Sequence, residues 1–272
     1  MTTGSVDGTD PAVATPRIVG SLRSPRDFPY WLVAIGLLIG WMVFLIVTQD
    51  RYNAPYHRVL AGLRITIETT VYAFLIALVL GLLAGLGRIA RNVVARNLAL
   101  TYIEVIRGVP ILVLIFTIAY AIVPPLAEAF GFKTNSLSFQ WRAIIALALI
   151  YGAYLAEVFR AGIESVPPGQ TEAGRSLGMS HAQTMRKIVL PQAVRNMTPA
   201  IGNDLIAMLK DSSLVSVLGV NDLAQQGRKY AAASFQFRPT YFVLTFFYLT
   251  MTIILSLLLT WYRKRLGLDD RD

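Results

Sequence analysis

Residues 164–199 read ESVPPGQTEAGRSLGMSHAQTMRKIVLPQAVRNMTP, a polar stretch in a chain that is otherwise mostly apolar. Pro167 and Pro168 stop any helix before them, because proline has no amide proton and crowds the residue preceding it. Thr171 is placed to cap a short helix with Glu172 early and Arg175 late, the order a helix dipole favours. Gly178 falls where a left-handed residue ends such a helix. Ser180, with Gln183 three residues on, makes a capping-box start for a second helix. Ala182, Met185, Ile188 and Val189 share its apolar face, Arg186 and Lys187 lie off it, and Pro191 marks its end. The stretch reads as two short helices hinged at a glycine, on a loop too polar for lipid.

Outward from this loop the chain turns apolar. Of its 272 residues 55% are hydrophobic and 15% are charged. Soluble domains carry about 25% charged residues, so the deficit points to a membrane protein. Mean hydropathy is +0.55. A formal net charge of +9 would suggest nucleic acid in a soluble protein; in a membrane protein it reflects arginines at cytoplasmic loop ends. With no cysteine, the chain has no disulfides, thiolate zinc sites or iron–sulfur clusters. His57 and His181 stand apart and make no ligand cluster.

Six apolar spans are predicted, giving an all-α integral membrane protein. Residues 1–29, rich in Thr, Gly, Pro, Ser and Asp, read as a disordered tail. Residues 30–47 form an uncharged run, longer than a signal-peptide core and without its cleavage motif, hence a retained first span. A polar connector covers 48–60. The second span, 65–87, carries Gly81 and Gly85 at a spacing suited to close helix contact. The third, 102–123, is interrupted by Arg107-Gly108-Val109-Pro110, and Pro124 and Pro125 open an outer loop. A fourth span covers 141–163. A broken fifth runs from 197 to 220, an outer loop follows at 221–238, and the last span is 240–262. Trp31, Trp41, Trp141, Trp261 and Tyr262 suit interfacial anchoring. Arg88, Arg91, Arg96, Arg175, Arg186, Lys187, Arg195 and the basic run 263–265 fall in alternate loops, which places the 164–199 loop and both termini in the cytoplasm.

A helix, a glycine turn and a helix in a basic protein also read as a helix-turn-helix. A membrane-anchored DNA-binding regulator is therefore the competing function. Held between two spans on short tethers, such a reader could not comfortably reach a major groove. The placement suits a cytoplasmic protein partner instead, and no nucleic acid.

Glu172-Ala173-Gly174, then Gly178, then Ile188, Leu190 and Pro191, resembles the EAA loop of ABC-transporter permease subunits. Gly174 stands where alanine is usual; it keeps a close helix contact at up to about 1 kcal/mol of helix stability. Further motifs are similar to the polar amino-acid permeases of the histidine, glutamine and arginine type. They are Gly62-Leu63-Arg64-Ile65-Thr66, the segment 102–110, Ala153-Tyr154-Leu155-Ala156-Glu157-Val158-Phe159-Arg160, the segment 163–170 and Leu209-Lys210-Asp211-Ser212-Ser213-Leu214. The resemblance implies a five-span permease domain over 60–265, preceded by an added helix at 30–48, in a bacterial inner membrane. It implies an ATP-driven importer of polar or charged amino acids, working by alternating access. The implied partners are a second permease chain, two cytoplasmic ATPases and an extracytoplasmic amino-acid-binding protein, with lipid around the spans. Thr171, Glu172, Ala173, Gly174, Arg175, Leu177, Gly178 and Ser180 would be the coupling residues. No G-x-x-x-x-G-K-[ST] loop occurs, so ATP and Mg belong to a separate ATPase and this chain binds no cofactor. It has no catalytic residue of its own.

Charges within a bilayer cost several kcal/mol each by insertion scales and commonly mark a pathway. Arg107, Glu157, Asp204 and Lys210 are the candidates here. An amino acid's carboxylate and ammonium would be complemented by one cation and one acid. The alternative is that these residues pair with each other and only hold helices together. Asp204 and Lys210, six residues apart, fall about 120° from a common helix face, so each needs another partner.

Overall fold

The computed structural model describes residues 30–131, 133 and 137–265; the predicted tail at 1–29 lies outside them. Two units are distinguished, Met1–Leu38 and Ile39–Asp272, and of the first only the start of helix α1 (Tyr30–Thr48) is described. Among the described residues every regular element is helical. Five helices are long and apolar enough to cross a membrane: α1, α3 (Leu63–Arg88), the stretch Ile111–Ala129, α7 (Phe139–Glu164) and α12 (Phe237–Arg265). The predicted fifth span, 197–220, falls mostly on α10 (Leu190–Asp211), which is absent from that set, since Asn203, Asp204, Lys210 and Asp211 dilute its apolar content.

The core lies along α7, most of whose residues are buried. Helix α3 packs on it through its small residues. A Cβ at Gly81 would stand 2.6 Å from the Leu155 Cβ, and one at Gly85 would stand 2.8 Å from the Ala156 carbonyl oxygen. The four-residue glycine spacing therefore serves the close contact expected of it. Helix α4 (Val93–Arg107) begins at Asn92, whose side chain accepts from the Val94 and Ala95 amides. From α4, the Tyr102 hydroxyl donates to the Leu149 carbonyl of α7 at 2.6 Å.

The third span breaks after Arg107, as its sequence predicts, and resumes as α5 (Ile111–Phe116) with Pro110 before it. Two other proline expectations are corrected. Pro124 and Pro125 open no loop: the chain passes through a π turn, Thr117–Ile122, into α6 (Val123–Ala129), with the prolines in its first turn. Pro191 ends no helix either. A π turn, Met185–Val189, links α9 (His181–Thr184) to α10, and Pro191 again sits in a first turn. The wider π turn before each proline makes room for its ring at the loss of that residue's amide bond. Residues 181–211 thus run as one helical rod. Among the described residues the predicted break in the fifth span comes at its C-terminal end, where Ser212–Leu218 forms a 3-10 helix closed by left-handed Gly219, while Pro199 stands inside α10.

The predicted connector at 48–60 is in fact largely helix α2 (Asp50–Leu60), and the outer loop contains α11 (Leu223–Ser234). Val59, Leu223, Val243 and Phe247 form a second, smaller core between α2, α11 and α12. Asp222 is fully buried and caps α11 by accepting from the Gln225 amide at 2.9 Å; burial pushes its carboxyl up to about 6. The turn before α3 is clamped to this cap. The Leu223 amide donates to the Thr66 hydroxyl at 3.0 Å, and a Cβ on Gly62 would lie 2.4 Å from the Asp222 carbonyl carbon. Backbone blocks that position, so Gly62→Ala is expected to cost about 2–3 kcal/mol or more. A lowered melting temperature in detergent checks this; an unchanged one would show that the turn yields freely.

Candidate functional site

Three clusters of polar groups stand out, and the 164–199 loop is the first. Helix α8 (Pro168–Ser176) starts at Pro168, because a proline already held at helical φ is the natural first residue. Thr171 therefore lies inside α8 and caps nothing, contrary to expectation. The C-terminus forms as predicted. Gly178 is left-handed at φ +78°, its amide donates to the Arg175 carbonyl at 2.9 Å, and the Met179 amide donates to the Gly174 carbonyl at 3.1 Å. This pair of bonds is the Schellman motif. The capping box is also present: the Ser180 amide donates to the Gln183 side chain at 2.8 Å, and the Gln183 amide to the Ser180 hydroxyl at 3.3 Å.

Gly174, the one buried residue of α8, seats that helix on the rod. A Cβ there would meet the Ile188 Cδ1 at 2.8 Å and the Thr184 Cγ2 at 3.0 Å. Thr184 is fully buried and donates to the Ser180 carbonyl at 3.1 Å. The glycine standing in place of alanine is thus matched by two β-branched neighbours. Gly174→Ala is expected to gain helix propensity yet weaken this seat, whereas Gly174→Ala with Thr184→Ala should recover it. A double-mutant cycle on melting temperature reads the coupling, and additive effects would refute the contact's role. The rest of α8 is solvent-exposed at Glu172, Ala173 and Arg175, and the C-cap residue Leu177 is 82% exposed.

The second cluster centres on Glu157 of α7, whose side chain is 18% exposed. Arg88 from the end of α3 pairs with one carboxylate oxygen. On the other, Arg160 binds through Nη2 at 3.0 Å and Nε at 3.2 Å, while the Arg107 guanidinium stays 4.0 Å away. Arg160 also pairs with Glu164. Arg107, with a 43% exposed side chain, also faces the Tyr154 ring at 6.0 Å. A cavity of about 450 Å³ adjoins, lined by Glu157, Arg160, Ser165 and Asn196 among others. Arg107 and Glu157 are therefore neighbours, in a group holding more cations than acids. Arg88 joins them unforeseen, although its place at the end of the second span was visible.

The third cluster lies on α10. One buried oxygen of Asp204 has no hydrogen-bond partner among the described residues. Lys210 is exposed, and no ion pair joins it to Asp204 among those residues. Asp211 and Tyr151, neither of them a candidate from sequence, meet beside it. The Tyr151 hydroxyl, buried in α7, donates to the Asp211 carboxylate at 2.7 Å, and Tyr154 lies beside Tyr151 at 5.8 Å between ring centres. A tyrosine among apolar neighbours gives little signal in sequence; the hydroxyl's need of a partner was the clue available.

No group of three or more His, Cys, Asp or Glu that could hold a metal occurs among the described residues. Similar proteins are known. The probable amino-acid permease protein YxeN of Bacillus subtilis (strain 168) is 39% identical over 75% of this chain and 89% of its own length. The glutamine transport system permease protein GlnP of Escherichia coli (strain K12) is 36% identical over 75% of this chain and 91% of its own. A crystal structure of an amino acid ABC transporter with histidines superimposes at a TM-score of 0.70 with 35% identity, covering 81% of this chain and 98% of that one. Residues 77–268 match the model of the inner membrane components of binding-protein-dependent transport systems, and the chain belongs to that family.

Proposed function

We propose that this chain is the permease subunit of an ATP-driven importer for polar or charged amino acids. The observation that carries the reading is α8: a capped helix seated through Gly174 on the rod 181–211, with Glu172, Ala173 and Leu177 turned to solvent. Force applied to α8 by a separate ATPase would pass to Asp204 and Asp211 along the helical stretch 181–211, through the π turn Met185–Val189 and past Pro199. The names of the relatives, which specify amino acids and glutamine, support the substrate class. A second permease chain, two cytoplasmic ATPases carrying ATP and Mg, and an extracytoplasmic binding protein complete the assembly. In this reading α10 makes a sixth crossing, both termini are cytoplasmic, and the membrane is the bacterial inner membrane. The DNA-binding alternative gains nothing from the fold, because α9 merges into the rod and offers no free recognition helix.

Purifying the chain in mild detergent and identifying the bound chains is the test. An ATPase with a P-loop is the expected companion; its absence, with no amino-acid uptake by cells making the chain, refutes the reading. The pathway is assigned to Asp204, with Arg107 or Lys210 taking the substrate's carboxylate. Asp204 lies fourteen residues into α10, about 21 Å along it. Asp204→Asn keeps the shape and removes the charge, so uptake should fall about tenfold or more while assembly with the ATPase is unchanged. Unchanged uptake kinetics, or lost assembly, would make Asp204 structural.

A further inference from the structure

Phe235 joins α11 to α12 in the left-handed region, at φ +58°. It is the one positive-φ residue other than glycine among the described residues, and its side chain is 83% exposed. A bulky side chain there is strained by roughly 1–3 kcal/mol, and such strain persists where function holds it. At 83% exposure the ring buries too little within the chain to offset that cost. Beside it, Phe237 is 48% exposed, and Arg238 has no carboxylate within ion-pair distance among the described residues. Among the described residues Lys229 bonds the Asn221 side chain, at 2.5 Å. No acidic residue occurs between 223 and 268, and neither Lys229 nor Arg238 makes an ion pair among the described residues, so this corner is aromatic and cationic.

Its height above the membrane narrows the occupant. Trp261 and the basic run 263–265 suit the inner interface. The 24 residues from Phe237 to Trp261 span about 36 Å, against a hydrocarbon thickness of about 30 Å. Phe235 therefore stands outside the hydrocarbon, at the outer headgroup level or beyond, where burial in acyl chains is not on offer. The chain's family depends on a binding protein. We propose that Phe235, Phe237 and Arg238 form the docking corner for that binding protein, with Phe235 as an apolar knob entering a pocket whose rim is acidic. The proposal rests on the permease reading and on the outward facing of the α11–α12 corner.

Benzoylphenylalanine placed at position 235 of the full chain, in cells making the whole transporter, tests the contact on irradiation. The expected adduct is an extracytoplasmic protein whose own unfolding shifts upward when a polar amino acid is added. With that protein as probe, Phe235→Gly should raise the concentration needed for half-maximal ATPase stimulation by about tenfold. Basal ATPase activity and assembly should stay unchanged. Glycine relieves the left-handed strain, so the melting temperature should not fall, whereas a structural role would lower it. An adduct with lipid alone or with a second copy of this chain overturns the proposal, as does unchanged stimulation in Phe235→Gly. If the unsubstituted chain brings down no ATPase and supports no uptake, the permease reading fails and the proposal falls with it.

Discussion

Replacing Glu157 with glutamine is expected to lower the melting temperature of the detergent-solubilised chain by roughly 10 °C. Its carboxylate is approached by Arg88, Arg107 and Arg160, from the ends of three different helices. Removing one partner of such a half-buried cluster leaves the cations facing each other, and losses of this kind run to about 3–5 kcal/mol. Among the described residues Glu164 pairs with Arg160 and with neither Arg88 nor Arg107, so it does not neutralise those two. The amide of glutamine keeps the shape and one acceptor, which isolates the charge as the cause. Glu157→Asp, which keeps the charge on a shorter arm, should fall between the two. A Glu157→Gln chain as stable as the original would mean that the arginines are satisfied elsewhere and that the cluster does not hold α3, α4 and α7 together.

Gly178→Val is expected to reduce uptake by more than tenfold while the ATPase still assembles and still hydrolyses ATP. Nothing lies within 4 Å of a Cβ at Gly178, so the effect is not a clash with neighbours. The cause is the backbone: at φ +78° a β-branched residue is strained by about 1–2 kcal/mol or more, and the Schellman bonds to Arg175 and Gly174 loosen. Without them α8 loses its fixed angle to the rod, and the exposed Leu177 next to Gly178 is displaced with it. Asparagine tolerates the left-handed region, so Gly178→Asn should retain most uptake. Equal uptake by the valine and native chains would remove the geometric basis for coupling.

Much of this was legible from residue order. The capping box at Ser180, the left-handed Gly178 and the Gly81–Gly85 contact each follow from one local rule and appear as read. Proline misled at Thr171, Pro191 and Pro124, because its effect depends on whether it falls in a first turn. The π turns that place it there leave no compositional mark. The motif from Gly62 to Thr66 carries a family resemblance in sequence, and its physical reason is the clamp on the α11 cap. Likewise Leu209 to Leu214 holds Asp211, bound by Tyr151, and Ser212, whose hydroxyl donates to the Leu209 carbonyl where α10 ends. Long-range partners such as Arg88 for Glu157 could not be read from one chain, since charge alone does not say which helix ends meet.

The most direct measurement is ATP-dependent uptake of labelled glutamine, arginine and histidine into liposomes holding the purified complex, with and without Gly178→Val. The account predicts uptake of at least one of them by the native complex, none without ATP, and continued ATP hydrolysis with little uptake by the variant. Uptake without ATP, or no polar amino acid carried while ATP is hydrolysed at the full stimulated rate, would contradict it.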